Sequence, residues 1–249
     1  MSKSNKLWLL LLSTSILLMT CQSINSSNAK LGVFPSYVIL SFDDGPNVQD
    51  DTTARLLDVL KKYEIHALFS LLGENAEQNP ELVRRIYDEG HYIINHGYFD
   101  KPAHRMGEEA FRENLTMGEK AISEALGKEL NPKLYQPHGG FYNSRQERIC
   151  REAGYTIVPS SVRVYDAVST GAKQDKAVKR VMEKIEKQKG GIILLHDARD
   201  SYFRMEKKLG RNPSGAFNRS WIPDAVEKII VILLERGYIL NGDAKFITE

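Results

Sequence analysis

Two adjacent carboxylates stand in SFDDGP, residues 41–46, directly after an apolar segment with the pattern of a strand. Side chains alternate along a strand, so Asp43 and Asp44 share a pocket only if the chain turns, which Gly45 and Pro46 favour. Neighbouring carboxylates repel each other, and a bound dication would relieve that repulsion by coordinating one while the other handles protons. The alternative is a solvated turn, because turns also favour Asp and Gly.

A second group of residues follows another strand pattern, in the sequence NHGYFD that holds His96 and Asp100. These two residues are four apart, so on one helical turn both could face one ion. With Asp44 they make a predicted set of metal ligands. His104 is the alternative to Asp100, although it lies beyond a single helical turn, whereas His91 precedes the strand and belongs at its opposite end.

A third group, GIILLHD, ends an apolar strand pattern in His196 and Asp197. A histidine there can act as a general acid if the fold brings it across from Asp43, with Asp197 as a hydrogen-bonding neighbour. The alternative interpretation is a His-Asp turn that only ends the strand.

The three groups need a fold that gathers strand ends, and the rest of the chain predicts one. Short apolar or β-branched segments predict strands at residues 37–42, 67–72, 92–95, 134–136, 156–160 and 191–195. Apolar spacing near 3.6 predicts helices at residues 52–62, 80–89, 108–126, 144–153, 177–187 and 223–236. This alternation predicts an α/β fold, a distorted (β/α)7-type barrel in a single domain, with a doubly wound open sheet as the alternative. Both folds place their site at the carboxyl ends of the strands.

The composition is that of an ordinary globular domain, with 42% apolar and 27% charged residues in a chain of 249. The formal net charge is only +2, so a nucleic-acid partner is not expected. We expect a monomer.

The first residues have the pattern of a targeting segment. Two lysines precede an apolar run at residues 7–19, which is short for a membrane span but suits a signal peptide. Cys21 follows in LMTC, which resembles a loose bacterial lipobox and predicts a lipidated mature N-terminus. Cleavage near Ala29, in a protein without the lipid, is the alternative.

The predicted organisation has three parts: a signal peptide at 1–20, a tether at 21–36 and the α/β domain at 37–249. This predicts an exported protein, anchored to the cell envelope through Cys21 and otherwise away from the membrane, or periplasmic or secreted if Cys21 is not lipidated. Cys150 is then left without an intramolecular partner, so no disulfide is expected.

In this order, SFDDGP, NHGYFD, YQPHGGFYN and LLH resemble the motifs of the polysaccharide deacetylase (NodB homology) family, carbohydrate esterase family 4. The resemblance spans nearly the whole mature chain. It implies that Asp43 is the general base, that Asp44 and His96 bind a metal, and that His196 is the general acid. Asp100 stands where the family has a second metal-binding histidine.

The resemblance also implies a substrate groove, with departures. YQPHGGFYN corresponds to a groove wall that includes Pro137 and supplies a backbone amide to the oxyanion, but Gln136 replaces the usual arginine and Gly139 the usual tyrosine. Leu194 would line the apolar pocket for the acetyl methyl. Asp166, without its usual Trp neighbour, is the candidate for the aspartate that partners the family's arginine.

These departures lead to two further expectations. Zn²⁺ is the expected metal, because a carboxylate at Asp100 remains a plausible Zn²⁺ ligand. The same carboxylate makes the site harder and more anionic, which gives Co²⁺, Mn²⁺ or Ni²⁺ as alternatives. Loss of the arginine should raise the pKa of Asp43, unless Arg199 or Arg163 supplies a cation in its place.

A long connection at residues 198–222 carries Tyr202, Phe203, Phe217 and Trp221. Long loops at the active end of a barrel often bind substrate, and aromatic rings stack on sugars, so Trp221 is a predicted substrate contact. Packing of these aromatics onto the barrel rim is the alternative.

The resemblance implies a metal-dependent enzyme that removes N-acetyl groups from an envelope or extracellular polysaccharide, such as peptidoglycan or a chitin-like polymer. Two alternatives remain open. One is a catalytically weakened member that binds glycan, because of Asp100 and Gln136, and the other is an O-acetyl esterase with the same mechanism.

Overall fold

A parallel β-sheet with helices packed against it forms the framework of the protein. The computed structural model describes residues 37–158, 162–199 and 217–240. Within these residues the strands are β1 Tyr37–Asp43, β2 Leu68–Leu71, β3 Tyr92–Asn95, β4 Leu134–Tyr135, β5 Thr156–Ile157, β6 Val162–Arg163, β7 Gly191–His196 and β8 Ile239–Leu240. The α-helices of the same residues are α1 Thr52–Lys62, α2 Gly73–Gln78, α3 Pro80–Asp88, α4 Glu108–Leu126, α5 Ser144–Glu152, α6 Gln174–Gln188 and α7 Ile222–Glu235.

The strands pair in parallel in the order β5-β4-β3-β2-β1-β7-β6, and β8 pairs with the start of β1. The sheet curls into a half-barrel, which confirms the α/β barrel-type prediction. The register sets Asp43 of β1 opposite Ser70 of β2 on one side and His196 of β7 on the other. Because all the strands run the same way, their carboxyl ends share one edge.

The main core lies between the sheet and its helices. Phe42 of β1 and Phe69 of β2 are fully buried, with ring centroids 5.2 Å apart. Leu56 of α1, Ile185 of α6 and Ile230 of α7 are equally buried in the same cluster. Burying a side chain of this size contributes about 1.5–3 kcal/mol, so the strand that carries Asp43 is held from both faces.

The predicted elements and the observed ones differ at a few places. The strands β6 and β8 were not predicted from the sequence. The short polar helix α2 carries no apolar periodicity that would reveal it. The helix α4 ends at Gly127, which caps it in the left-handed conformation with a φ of 70°.

The predicted signal peptide, Cys21 and the tether lie outside the described residues, and so do residues 200–216 of the long connection. Among the described residues, Cys150 is a buried free cysteine. None of the described helices combines the length and apolar composition that crossing a membrane requires.

Candidate active site

The turn after β1 brings two carboxylates into one buried place. Asp43 and Asp44 are only 2% and 4% exposed, and Asp44 adopts a left-handed conformation with a φ of 73°. The turn is held by its backbone: the Asp44 amide donates to the Ser70 carbonyl at 3.0 Å, and Asn75 Nδ2 donates to the Asp44 carbonyl at 2.7 Å. The chain therefore turns where the sequence predicted.

His96 follows β3 and meets both carboxylates. Its Nε2 lies 3.5 Å from Asp44 Oδ1 and 3.7 Å from Asp43 Oδ2. Its Nδ1 lies 2.6 Å from the backbone carbonyl of Gln136, which fixes the ring orientation. Burial, with the nearby His138, lowers the pKa of His96 well below its usual value, so the imidazole is neutral and suited to bind a metal.

His138 completes a group that the sequence analysis did not assemble. It begins the 3₁₀ turn His138–Gly140 after β4, and its Nδ1 lies 2.6 Å from His96 Nε2. One atom each from Asp44, His96 and His138 lie within 4.8 Å of one another. The available signal was the position of His138 just beyond the carboxyl end of a predicted strand.

Asp100 lies beside this group. Its carboxylate contacts His138 Nε2, and its side chain is 27% exposed. The group of three therefore contains His138 where the sequence analysis expected Asp100, and ligation by Asp100 itself stays a prediction. His104 lines a cavity that opens over Asp44 and His96, and its ring centroid lies 6.1 Å from that of Phe141.

The donors present fit a divalent cation. In the described part of the chain, the buried oxygens Asp43 Oδ1 and Asp44 Oδ1 have no hydrogen-bond partner. Burial raises the pKa of Asp44 well above its usual value, so its charged form lacks a compensating cation. One carboxylate and two imidazoles are ligands that Zn²⁺ and neighbouring transition metals accept.

Asp43 has an uncharged neighbour where the family has an arginine. Gln136 Nε2 donates to Asp43 Oδ2 at 3.2 Å, and Gln136 Oε1 accepts a hydrogen bond from Ser70 Oγ at 2.8 Å. Burial raises the pKa of Asp43 to about 7. Desolvation is the main cause of the shift.

His196, at the end of β7, lies on the wall of the same cavity. Its Nδ1 lies 3.0 Å from Asp166 Oδ1, and its backbone amide donates to Asp166 Oδ2 at 2.9 Å. Burial alone would lower the pKa of His196, but the carboxylates of Asp166, Asp44 and Asp43 together outweigh it and raise the pKa to about 9. His196 is therefore protonated at neutral pH.

The hydrogen-bonding neighbour of His196 is thus Asp166, and the expectation that Asp197 fills this place is wrong. Asp197 Oδ2 accepts from Thr53 Oγ1 at 2.5 Å, and its carbonyl accepts from Asn47 Nδ2 at 2.8 Å. Asp197 therefore ties the turn after β1 to the end of β7.

The buried cation at this edge is Arg219, which the sequence analysis did not single out. Its Nη2 donates to Asp166 Oδ2 at 2.5 Å, and its side chain is fully buried. Arg199 and Arg163, the expected substitutes for the missing arginine, donate to backbone carbonyls of Ala167 and Gly140. No sequence signal distinguished Arg219 from the other arginines of the long connection.

A cavity of about 280 Å³ opens over the candidate metal ligands Asp44, His96 and His138. Its lining includes Asp44, His96, Asp100, Phe141, His196 and Arg199.

The predicted substrate residues occupy different depths around this cavity. Gly139 lies on its wall, whereas Pro137 and Gln136 are buried behind it. Leu194 is 6% exposed on β7. Trp221 is also 6% exposed and packs in the main core, which leaves little of its surface for a sugar ring.

This fold and site define a class: an α/β protein with a curled parallel sheet and a candidate metal centre at the carboxyl ends of its strands. A family model described as polysaccharide deacetylase matches residues 33–158. The chain belongs to the polysaccharide deacetylase family.

Named relatives agree with this membership. A peptidoglycan-N-acetylglucosamine deacetylase of Bacillus cereus is 32% identical over 211 residues, covering 85% of this chain and 66% of the relative. A chitooligosaccharide deacetylase of Bradyrhizobium is 30% identical over 204 residues, covering 82% of this chain and 87% of the relative. The crystal structure of the peptidoglycan N-acetylglucosamine deacetylase Bc1960 is 31% identical, with a TM-score of 0.66 over 82% of this chain and 84% of that one.

Proposed function

We propose that this protein is a metal-dependent deacetylase that hydrolyses N-acetyl groups of an envelope or extracellular polysaccharide. One observation carries the proposal: the group Asp44–His96–His138 and His196 line one cavity at the carboxyl ends of the strands. Asp43 is buried beside this group, with its Oδ2 3.7 Å from His96 Nε2. This set supplies a base, a cation site and an acid, which hydrolysis of an unreactive amide requires together.

Asp44, His96 and His138 would hold the divalent cation, with Zn²⁺ as the expected ion and Co²⁺, Mn²⁺ or Ni²⁺ as alternatives. When bound, such a cation polarises a carbonyl oxygen and stabilises the negative charge that develops on it. Gln136 supports the site by holding the His96 ring through its carbonyl. Asp100, in contact with His138, orients that imidazole or adds a further ligand.

Asp43 is the base in this proposal. Its Oδ2 is held by the Gln136 amide, and the carboxylate takes a proton from the attacking water as the new carbon–oxygen bond forms. The enclosed position of Asp43, 2% exposed, excludes bulk water from its surroundings.

His196 is the acid. Asp166 occupies its Nδ1, which leaves Nε2 to hold the proton that is transferred. As the carbon–nitrogen bond breaks, His196 gives this proton to the leaving nitrogen, so the products are acetate and a free amine.

The relatives support a glycan built on N-acetylglucosamine, either peptidoglycan or a chitin-like polymer. Gly139 would offer its backbone to the substrate, and Leu194 would line the pocket for the acetyl methyl. Such substrates lie outside the cytoplasm, which agrees with the predicted signal peptide and with a lipid anchor at Cys21.

The test is acetate release by the purified, metal-loaded protein from acetylated chito-oligosaccharides and from peptidoglycan. We expect release from at least one of them, and none from Asp43→Asn, which keeps the shape of the side chain but removes the base. A wild-type protein with a filled metal site that releases acetate from neither substrate would contradict the proposal. Release from O-acetylated glycan alone would identify an O-acetyl esterase instead.

A further inference from the structure

We infer that Arg219 is a positioning residue for the general acid: it fixes Asp166 and the end of β7, and so aims the His196 imidazole into the cavity. This inference rests on the proposed function, because it assigns His196 a proton-transfer role. No family motif in the sequence points to Arg219, which lies in the connection between β7 and α7.

Arg219 donates four hydrogen bonds to two residues, Asp166 and His196. Its Nη2 donates to Asp166 Oδ2 at 2.5 Å and to the His196 carbonyl at 2.9 Å. Its Nε also donates to the His196 carbonyl, at 3.1 Å, and its Nη1 donates to the Asp166 carbonyl at 3.0 Å. All three guanidinium nitrogens therefore contact Asp166 or His196.

Asp166 transmits this contact to the imidazole. The same oxygen, Oδ2, accepts from Arg219 Nη2 and from the His196 backbone amide, while Oδ1 lies 3.0 Å from His196 Nδ1. The His196 backbone is thus held at its amide by Asp166 and at its carbonyl by Arg219. Because Asp166 holds Nδ1, the ring orientation is fixed and Nε2 is the ring nitrogen left to face the cavity.

Charge balance explains why a cation is needed at this position. Asp166 is fully buried, and its ionised form depends on two partners, His196 and Arg219, which lower its pKa against the effect of burial. Removing Arg219 takes away one of them and so favours protonation of Asp166. A protonated Asp166 would no longer stabilise the imidazolium form of His196. A planar guanidinium also contacts two carbonyls and a carboxylate at once, which an ammonium group cannot match.

Arg219 contacts a different part of the site from the position that the family's arginine would occupy. Gln136, at the family's arginine position, contacts the base Asp43, whereas Arg219 serves the acid side of the site. Arg219 therefore acts on proton donation.

The test compares Arg219→Met and Arg219→Lys with Arg112→Met, an exposed arginine on α4 that pairs with Glu108 and Glu152. For Arg219→Met we expect kcat to fall roughly 10- to 100-fold, with KM within about twofold and metal content unchanged. Arg219→Lys should recover part of kcat, and Arg112→Met should match the wild type. A folded Arg219→Met protein with wild-type kcat would overturn the inference.

A second measurement does not depend on turnover. The His196 Nδ1 proton, held by Asp166, should give a downfield proton resonance in the metal-loaded wild type, assigned by its loss in His196→Gln. The resonance should broaden or disappear in Arg219→Lys and persist in Arg112→Met. An unchanged resonance in Arg219→Lys would overturn the inference, whereas a wild type that releases no acetate would overturn only the proposed function.

Discussion

At the scale of single residues, burial sets the chemistry of this site. Burial raises the pKa of Asp43 to about 7, and the carboxylates of Asp166, Asp44 and Asp43, acting against burial, raise the pKa of His196 to about 9. In the pH window between these two pKa values, the proposed base Asp43 is ionised and the proposed acid His196 is protonated. The environments of the two residues, rather than their types, separate their roles.

The third metal ligand can be tested by comparing His138→Ala with Asp100→Asn. We expect His138→Ala to lose most of its bound metal and its activity, because one of the three converging donors is gone. Asp100→Asn should keep its metal and lose activity by roughly 10- to 100-fold, as expected for a group that orients a ligand. Metal content measured after dialysis decides between them, and the opposite pattern would make Asp100 the ligand.

The pH dependence of kcat/KM should be bell-shaped. Activity is expected to fall as the pH rises through about 9, because His196 loses the proton that it donates. It should also fall on the acid side as Asp43 becomes protonated, at or below about pH 7, because a bound cation favours the carboxylate form. An Asp166→Asn variant should move the alkaline limb to lower pH, and an unmoved limb would contradict the assignment of His196.

At the scale of elements, close packing of α4 holds the backbone around His96 in place. Gly118 of α4 lies against the backbone that follows β3: a Cβ added there would lie 2.8 Å from the Gly97 carbonyl carbon and 2.5 Å from Asn95 Oδ1. The helix thus approaches to backbone distance directly beside His96, which only glycine allows.

Gly118→Ala should therefore disturb both stability and the site. We expect a loss of roughly 1–3 kcal/mol in the free energy of unfolding, as overpacking typically costs, and weaker metal binding through a displaced His96. Gly107→Ala is the matched control, because a Cβ at Gly107 meets nothing within 4 Å. Chemical denaturation and metal titration of both variants measure the effects, and equal stability of the two would refute this account.

At the scale of the whole molecule, the site weakens the fold that carries it. The folded-state pKa of Asp43 is raised from 3.8 to about 7, so its contribution to stability is present below the unfolded value and is lost as the pH rises through about 7. The raised pKa of Asp44 acts in the same direction. These two carboxylates should thus make the metal-free protein less stable above about pH 7 than below it.

Metal binding should offset this weakness. A cation at a concentration of 100 times its Kd stabilises the folded state by about 2.7 kcal/mol, so we expect Tm to rise on adding Zn²⁺ or Co²⁺. The rise should be larger above about pH 7 than well below it, because protonated carboxylates and imidazoles bind cations poorly. Thermal unfolding of Asp44→Asn is the control: an equal metal-induced rise in that variant would place the cation elsewhere.

By itself, the sequence determined the parallel α/β fold and the strand ends that carry Asp43, Asp44, His96 and His196. Its information is local: buried strand patterns followed by polar residues must bring those residues to one edge, because parallel strands share a direction. Three contacts could be seen only in the folded structure. His138 lies against His96, and Asp166 rather than Asp197 holds His196. Arg219 binds Asp166 at the edge of the site. Those contacts depend on how the turn after β4 and the segment before α7 pack, and such long-range packing leaves no periodicity in the chain to read.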